Sequence, residues 1–194
     1  MYSARTRGFS MVEMLIAIAI AMIMAAVTVI SFQSQNQQAA VTSGYNTALQ
    51  TMRRARDEAV AERRVWAVSF STAATPNTIT LSKNGPLPGG TLVSTEVLPT
   101  NVGFAVTAGL PSPGPDGFGT GATPVDFDQP GGGGTTILFQ PDGSAQDAVG
   151  NINNGVVYIA QPGMKQSTRA ISLWGTTGRI RGWQLTPANA WSER

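Results

Sequence analysis

The stretch from Arg5 to Ile30, which reads RTRGFSMVEMLIAIAIAMIMAAVTVI, decides the fold of this chain. Between residues 9 and 32 it carries a single charged side chain, Glu13. As a helix that rises about 1.5 Å per residue, the segment 9–32 is about 36 Å long, which is enough to span a bilayer. An ionised carboxylate in apolar surroundings costs on the order of 3 kcal/mol, so we expect Glu13 to need a partner cation. The nearest candidates in the chain are Arg5 and Arg7.

Two interpretations of this segment rest on its composition alone. A secretory signal peptide also joins basic residues to an apolar core, but the run from Met14 to Ile30 is long for such a core. An acid at the start of that core is also unusual. A plain transmembrane anchor fits the length. Neither interpretation gives Glu13 a role.

A third interpretation comes from a resemblance. A short basic leader ends in Gly8, phenylalanine follows as Phe9, and glutamate is the fifth residue from there, Glu13. This order resembles the class III signal of type IV pilins and pseudopilins. The resemblance implies that a prepilin peptidase cleaves after Gly8 and that the new N-terminus at Phe9 is methylated. It also implies that Glu13 pairs with the Phe9 amine of a neighbouring subunit, a charge pair that is favourable in low dielectric when its geometry is good.

The same resemblance implies a set of partners and a location. The partners are the prepilin peptidase, other pilin or pseudopilin subunits, an inner-membrane assembly platform and the lipid of the inner membrane. The chain would cross the bacterial inner membrane once, with its C-terminal domain in the periplasm. It would later enter a pilus or a pseudopilus.

Composition limits the classes of function that remain. The chain has 194 residues, with 13 basic and 11 acidic side chains. The predicted leader, residues 1–8, holds two of the basic side chains, so the rest of the chain is balanced and any basic site must be local. No cysteine or histidine is present, which excludes disulfides, thiol nucleophiles and histidine bases. This composition does not exclude an enzyme, but an enzyme tethered by its N-terminal helix has only scattered carboxylates in its favour, and no acid–base pair can be placed together from the sequence. We predict a protein that is not an enzyme and that has no cofactor and no metal.

The distribution of proline and glycine divides the chain into a helical part and a β part. All 12 prolines lie at or beyond Pro76, and proline is largely excluded from helix interiors. Apolar residues from Val41 to Ala59 recur at helical spacing, which places them on one face. We predict one helix from about Phe9 to about Arg64. Its hydrophobic part is 9–32, its amphipathic part is 33–64, and a β domain occupies 65–194.

Short β-rich runs, separated by turn residues, follow the predicted helix. The eight predicted strands are Val65–Ser71, Thr78–Ser82, Thr91–Leu98, Val102–Ala108, Thr135–Gln140, Gly155–Gln161, Arg169–Trp174 and Arg179–Leu185. The pattern predicts an α+β protein in which a small antiparallel β domain packs on the second half of a long helix.

A connection rich in glycine and proline spans residues 109–134. Connections of this length are usually functional or mobile. Asp126 and Asp128, together with Asp116, offer oxygen ligands of the kind that calcium prefers. Their spacing matches no calcium loop, and exposed carboxylates without a metal are the alternative that we favour.

Later motifs sharpen the resemblance. Four motifs follow the order seen in the GspH/FimT group of minor pilins and pseudopilins, and together they resemble that group. They are Ala55–Ala59 with Val65–Val68, Ile137–Ser144, Ile171–Leu173, and Gly178–Arg181. The resemblance implies a long N-terminal helix packed on two small β-sheets. The connection at 109–134 departs from the pattern.

The motif Gly178-Arg-Ile-Arg181 lies at the start of the last predicted strand. The two-residue period of a strand places Arg179, Arg181 and Trp183 on one face. Two guanidinium groups beside an indole can contact phosphates and stack on unpaired bases. The motif also resembles the G-R-x-R signature of FimT-type minor pilins that bind DNA, which implies a DNA contact at Arg179 and Arg181. A solvated face, a subunit contact or protection of a sheet edge is the alternative.

These observations favour a non-enzymatic structural subunit, a minor pilin or pseudopilin of a type IV pilus-like filament. The alternative is a filament-associated, DNA-binding minor pilin of natural transformation. The sequence does not distinguish a type II secretion pseudopilus from a type IV pilus or a DNA-uptake filament.

Overall fold

The computed structural model describes residues 10–129 and 132–194, with side chains described outside 27–35 and 129. The chain divides into two compact units, Met1–Gln38 and Ala39–Arg194. Helix α1 runs over Met11–Glu62. It ends where Arg63 adopts a left-handed backbone with φ of 54° and the Arg64 N–H donates to the Ala59 carbonyl at 3.2 Å. This geometry is a common helix terminator, and it ends the helix within two residues of the predicted boundary.

The N-terminal unit exposes its large apolar side chains. Those described are between 53% and 85% exposed: Met11, Val12, Met14, Leu15, Ile16, Ile18, Ile20, Met22, Ile23 and Met24. Across the described residues, no helix is both long and apolar enough to pass through a membrane.

In the C-terminal unit one face of α1 is buried, as the helical spacing predicts. The residues on this face are at most 3% exposed: Val41, Tyr45, Ala48, Met52, Ala55 and Ala59. They form one hydrophobic cluster with side chains of both β-sheets, among them Phe70, Phe139 and Ile171. The main core therefore lies between α1 and the two sheets. Small alanine side chains let the helix backbone approach them closely.

The described residues form eleven strands. In chain order they are β1 (Trp66–Ser71), β2 (Thr78–Lys83), β3 (Thr91–Val97), β4 (Gly103–Phe104), β5 (Val125–Gln129), β6 (Thr136–Phe139), β7 (Ala145–Gln146), β8 (Asn154–Ala160), β9 (Arg169–Trp174), β10 (Arg179–Leu185) and β11 (Trp191–Glu193). Sheet A has the order β3-β2-β1-β6-β7, and sheet B has the order β11-β10-β9-β8-β4, with β5 also paired to β8. All paired strands are antiparallel. The α+β fold class with two antiparallel sheets is confirmed.

Several predicted boundaries were wrong. The strand expected at Val102–Ala108 is only Gly103–Phe104. The connection 109–134 contains β5, which sequence reasoning missed because its two aspartates are disfavoured in strands. The short β7 and β11 were also missed. Because β11 pairs with β10, Arg179–Leu185 is neither the last strand nor an edge strand.

The outer face of sheet B, away from α1, has its own cover. A second cluster contains Val156, Tyr158 and Ala170, and Val106, Leu110 and Phe118 of the connection between β4 and β5 pack against it together with Trp183 and Trp191. Strand β8 is consequently buried on both faces from Gly155 to Ala160. Much of the glycine- and proline-rich connection is thus a packed layer on the sheet.

The fold makes the buried face of α1 the main source of stability in the C-terminal unit. We expect Met52→Ala to lower the free energy of unfolding by about 2–5 kcal/mol, because it leaves a cavity in the main core. The measurement is urea unfolding of the full chain in detergent micelles, followed by tryptophan fluorescence. Gln50→Ala, on the exposed face of the same helix, should change stability by less than about 0.5 kcal/mol. Equal stability of the two variants would contradict this packing.

Candidate functional site

Glu13 lies in the first turn of α1 and is exposed. Because α1 begins at Met11, Ser10 occupies the N-cap position and Glu13 the third helical position. Serine and glutamate at this spacing can form a capping box, in which the glutamate side chain satisfies an N-terminal backbone N–H. Residues 10–38 contain no lysine or arginine. A cation for Glu13 must therefore come from outside this part of the chain.

Gly8 and Phe9, the predicted processing residues, lie outside the described residues. Their roles in cleavage and methylation stay predictions, as does the pairing of Glu13 with the Phe9 amine.

Arg181 sits at the centre of an ion-pair network on the outer face of sheet B. Its Nη1 atom lies 2.6 Å from Asp116 Oδ1, and its Nε atom donates to Glu193 Oε1 at 2.7 Å. Its Nη2 atom also binds the second Glu193 oxygen. The guanidinium carbon lies 4.9 Å from the centroid of the Trp183 ring. The hydrogen bond and charge of Arg181 lower the pKa of Glu193, and the bond to Glu193 raises the pKa of Arg181.

Further hydrogen bonds extend this network to a neighbouring strand. Trp183 Nε1 donates to Ser172 Oγ at 2.9 Å, and the Ser172 hydroxyl donates to Asp116 Oδ2. Asp116 belongs to the 3₁₀ turn Pro115–Gly117 within the connection that covers sheet B. The network therefore ties that turn, β9, β10 and β11 together. Arg181 acts here as a structural clasp whose charge is already met by two carboxylates.

The predicted common face of Arg179, Arg181 and Trp183 is visible in the packing. Ile180, between the arginines, packs on the main core, whereas Trp183 packs on the outer cluster. Within this face only Arg179 is exposed. The three residues thus share a face but differ in their contacts: Arg179 is exposed, Arg181 is ion-paired, and Trp183 packs on the outer cluster.

Arg179 borders a cleft of about 480 Å³ that is also lined by Arg53, Arg56 and Asp57. The Arg56 guanidinium donates to the carbonyls of Gly143 at 3.3 Å and Thr177 at 3.2 Å, which fixes it in the cleft wall. Three basic residues and one acidic residue therefore line this cleft. Sequence reasoning missed Arg53 and Arg56, because they lie on the helix more than 120 positions from Arg179.

The glycine of the Gly-Arg-Ile-Arg motif has a packing role. Gly178 has a φ of 60°, and a Cβ atom there would overlap the Gly143 carbonyl and lie 2.8 Å from Arg56 Nε. Only glycine combines this backbone conformation with such a close approach. The position of Arg179 beside the helix depends on it.

The three aspartates considered as calcium ligands are separated by their own contacts. Asp116 binds Arg181, and buried Asp126 accepts a hydrogen bond from the Gly133 N–H at 3.1 Å. Burial, and then the charge of Asp147, raise the pKa of Asp128. In residues 10–129 and 132–194, no group of three or more acidic, histidine or cysteine side chains is placed to hold a metal ion.

Comparison with known proteins identifies the N-terminal region. Residues 3–29 match the family described as the prokaryotic N-terminal methylation motif. The chain carries the N-terminal signature of type IV pilin-like proteins. This match contains Gly8, Phe9 and Glu13 and confirms the resemblance stated for that region.

Two other comparisons concern the whole chain. No curated protein matches it. Among solved structures it is similar to the type IV minor pilin FimU of Pseudomonas aeruginosa, with 16% identity and a TM-score of 0.46. The similarity covers 82% of this chain and 95% of that one.

If Arg181 is a clasp, removing its charge should loosen two distant segments together. We expect Arg181→Met to increase amide hydrogen exchange at residues 110–118 and at β11, because Asp116 and Glu193 both lose their partner. Exchange would be measured by mass spectrometry on the full chain in detergent micelles. Arg179→Met, two residues away on the same face, should leave both segments unchanged. Increased exchange at only one of the two segments would argue against a shared clasp.

Proposed function

We propose that this chain is a non-enzymatic structural subunit, a minor pilin or pseudopilin of the GspH/FimT kind, in a type IV pilus-like filament. The observation that carries the proposal is the methylation motif at residues 3–29. Within it, Glu13 stands beside exposed apolar side chains and has no cation in residues 10–38. The proposed filament is a type II secretion pseudopilus or a type IV pilus.

The exposed apolar side chains support a role in assembly. Burying one large apolar side chain contributes about 1.5–3 kcal/mol, so a helix that exposes ten of them gains much by contact with lipid or with other helices. In this proposal, lipid of the inner membrane surrounds the segment 9–32 first. The assembly platform then transfers it to the helices of other pilin subunits.

The processing step supplies the cation. Cleavage by prepilin peptidase after Gly8 would make Phe9 the N-terminus, and its methylated amine keeps a positive charge. In the filament that amine would pair with Glu13 of a neighbouring subunit. The charged pair sets the axial position of one subunit against the next, since a buried acid without a partner is costly.

Glu13→Gln separates this role from helix capping. Glutamine can complete a capping box as glutamate does, but it carries no charge. We expect the variant to be processed normally and to lose at least about tenfold in filament incorporation, since tenfold corresponds to about 1.4 kcal/mol of lost pairing. Incorporation is measured by immunoblot of sheared filaments against the membrane fraction. Glu62→Gln, at the other end of α1, is the matched control, and wild-type incorporation of Glu13→Gln would refute the pairing.

A second function, DNA binding, is favoured by the arginine cleft. Arg53 and Arg179 are exposed residues that line it, and Arg56 is held in its wall by hydrogen bonds to two carbonyls. Clustered guanidinium groups bind phosphates by charge and by bidentate hydrogen bonds. In this second proposal Arg179 contacts the nucleic acid, while Arg181 and Trp183 support its strand.

We expect Arg179→Ala to weaken binding of a labelled single-stranded oligonucleotide to the full chain in detergent micelles, and to reduce the slope of log K against log salt by about 1. Fluorescence anisotropy at several salt concentrations provides the measurement. Arg54→Ala removes the same charge from the helix outside this cleft and should have a smaller effect. Binding that is absent at low salt, or equal loss in both variants, would rule out the cleft as a DNA site.

A further inference from the structure

Arg169, the first residue of β9, is a buried cation that forms no ion pair with an acidic side chain of the described residues. The residue is only 7% exposed. Its Nη1 atom makes one long contact, 3.5 Å, with the carbonyl of the preceding residue, and its Nε atom is shielded from solvent and has no hydrogen-bond partner. Buried charges in proteins are normally paired and hydrogen-bonded. Arg169 therefore departs from this rule.

The register of sheet B defines where the Arg169 side chain lies. Arg169 is paired with Gln184 on β10, and the alternation of β9 turns it to the same side as Ile171 and Leu173, which belong to the main core under α1. On α1, Tyr45 is buried above this side. A Cβ atom on Gly182 would overlap the Tyr45 hydroxyl, so that hydroxyl lies directly against β10.

A second guanidinium group comes from the end of the described chain. The Arg194 N–H donates to the Gly182 carbonyl at 3.0 Å. The preceding residue, Glu193, points to the outer face, where it binds Arg181. Alternation therefore turns Arg194 to the helix side, towards Tyr45 and Arg169, and Arg194 is exposed there.

The charged side chains described at this position are all positive. Burial is the first cause that lowers the pKa of Arg169, and the charge of Arg194 is the second. The pKa of Tyr45 is raised by burial, and Arg53, Arg194 and Arg169 each oppose that rise. In the described part of the chain, no carboxylate oxygen lies within 4.0 Å of Arg169 or Arg194.

We propose that Arg169, together with Arg194 and Tyr45, binds an oxyanion group, a carboxylate or a phosphate, that belongs to another molecule. The planar guanidinium group matches both groups by paired hydrogen bonds. A phenolic hydroxyl can donate a further bond. Arg194 is exposed to solvent, whereas Tyr45 and Arg169 are buried. Glu193, the residue before Arg194, is held on the opposite face of the sheet by Arg181, so Glu193 does not supply the anion.

This inference is independent of filament assembly, because it concerns a site in the C-terminal unit and a ligand of defined chemistry. Its test measures thermal unfolding of the full chain in detergent micelles with sodium acetate, sodium phosphate or sodium chloride at equal ionic strength and pH 7. Above the dissociation constant of the bound anion, each tenfold increase in its concentration should raise Tm by about 3–5 °C. A rise with acetate alone identifies a carboxylate site, and a rise with phosphate alone identifies a phosphate site.

Variants decide whether the effect belongs to this site. Arg169→Met should abolish the anion-dependent rise, whatever it does to Tm without anion. Arg194→Met, at the exposed side, should reduce the rise and serves where Arg169→Met does not fold. Arg54→Met removes a comparable charge from the exposed face of α1 and should keep the full rise. Equal shifts with chloride, or a full rise in both Arg169→Met and Arg194→Met, would overturn the proposal.

Discussion

Burial of one face of α1 against both sheets is the constraint on which the rest of the C-terminal unit depends. Alanines at positions 48, 55 and 59 bring the helix backbone close, and large side chains from both sheets fill the space beneath it. Two glycines of the β domain lie where side chains of α1 come very close to its backbone. Gly182 makes room for the Tyr45 hydroxyl and Gly178 makes room for Arg56. Small residues on both partners therefore define how α1 lies on the sheets.

Helix α1 covers only the inner face of sheet B, so another segment of the chain must cover the outer face. The connection between β4 and β5 covers it with Val106, Leu110 and Phe118, and the ion pairs of Arg181 hold the turn at Asp116 in place. Surface ion pairs usually contribute little, but here one guanidinium group joins two segments that are distant in sequence. The glycine- and proline-rich composition of the connection at residues 109–134 suggested a mobile or ligand-binding loop. Its main observed role is to shield β8.

Local patterns explain which features could be predicted from the sequence. The spacing of Val41 to Ala59 predicted the buried helix face, and the order of Gly8, Phe9 and Glu13 predicted the methylation motif. Contacts between distant residues carry no such local pattern. Nothing near Asp116 indicates that it would bind Arg181, 65 positions away, and the short β11 has no period to detect. The capping position of Glu13 was available from the spacing of Ser10 and Glu13, but it became clear only once the start of α1 was fixed.

The arginines of the β domain show why a motif alone is a poor guide to binding. Arg181 lies within the recognised Gly-Arg-Ile-Arg sequence, yet Asp116 and Glu193 already neutralise it. Arg169 belongs to no recognised motif, yet it is buried without an acidic partner in the described residues. A cation attracts an external anion only to the extent that the protein has left its charge uncompensated. By that criterion, exposed Arg179 and buried Arg169 are the two positions proposed for an acidic ligand, and the proposals differ in chemistry: an open, salt-sensitive cleft at Arg179, and a small oxyanion site at Arg169.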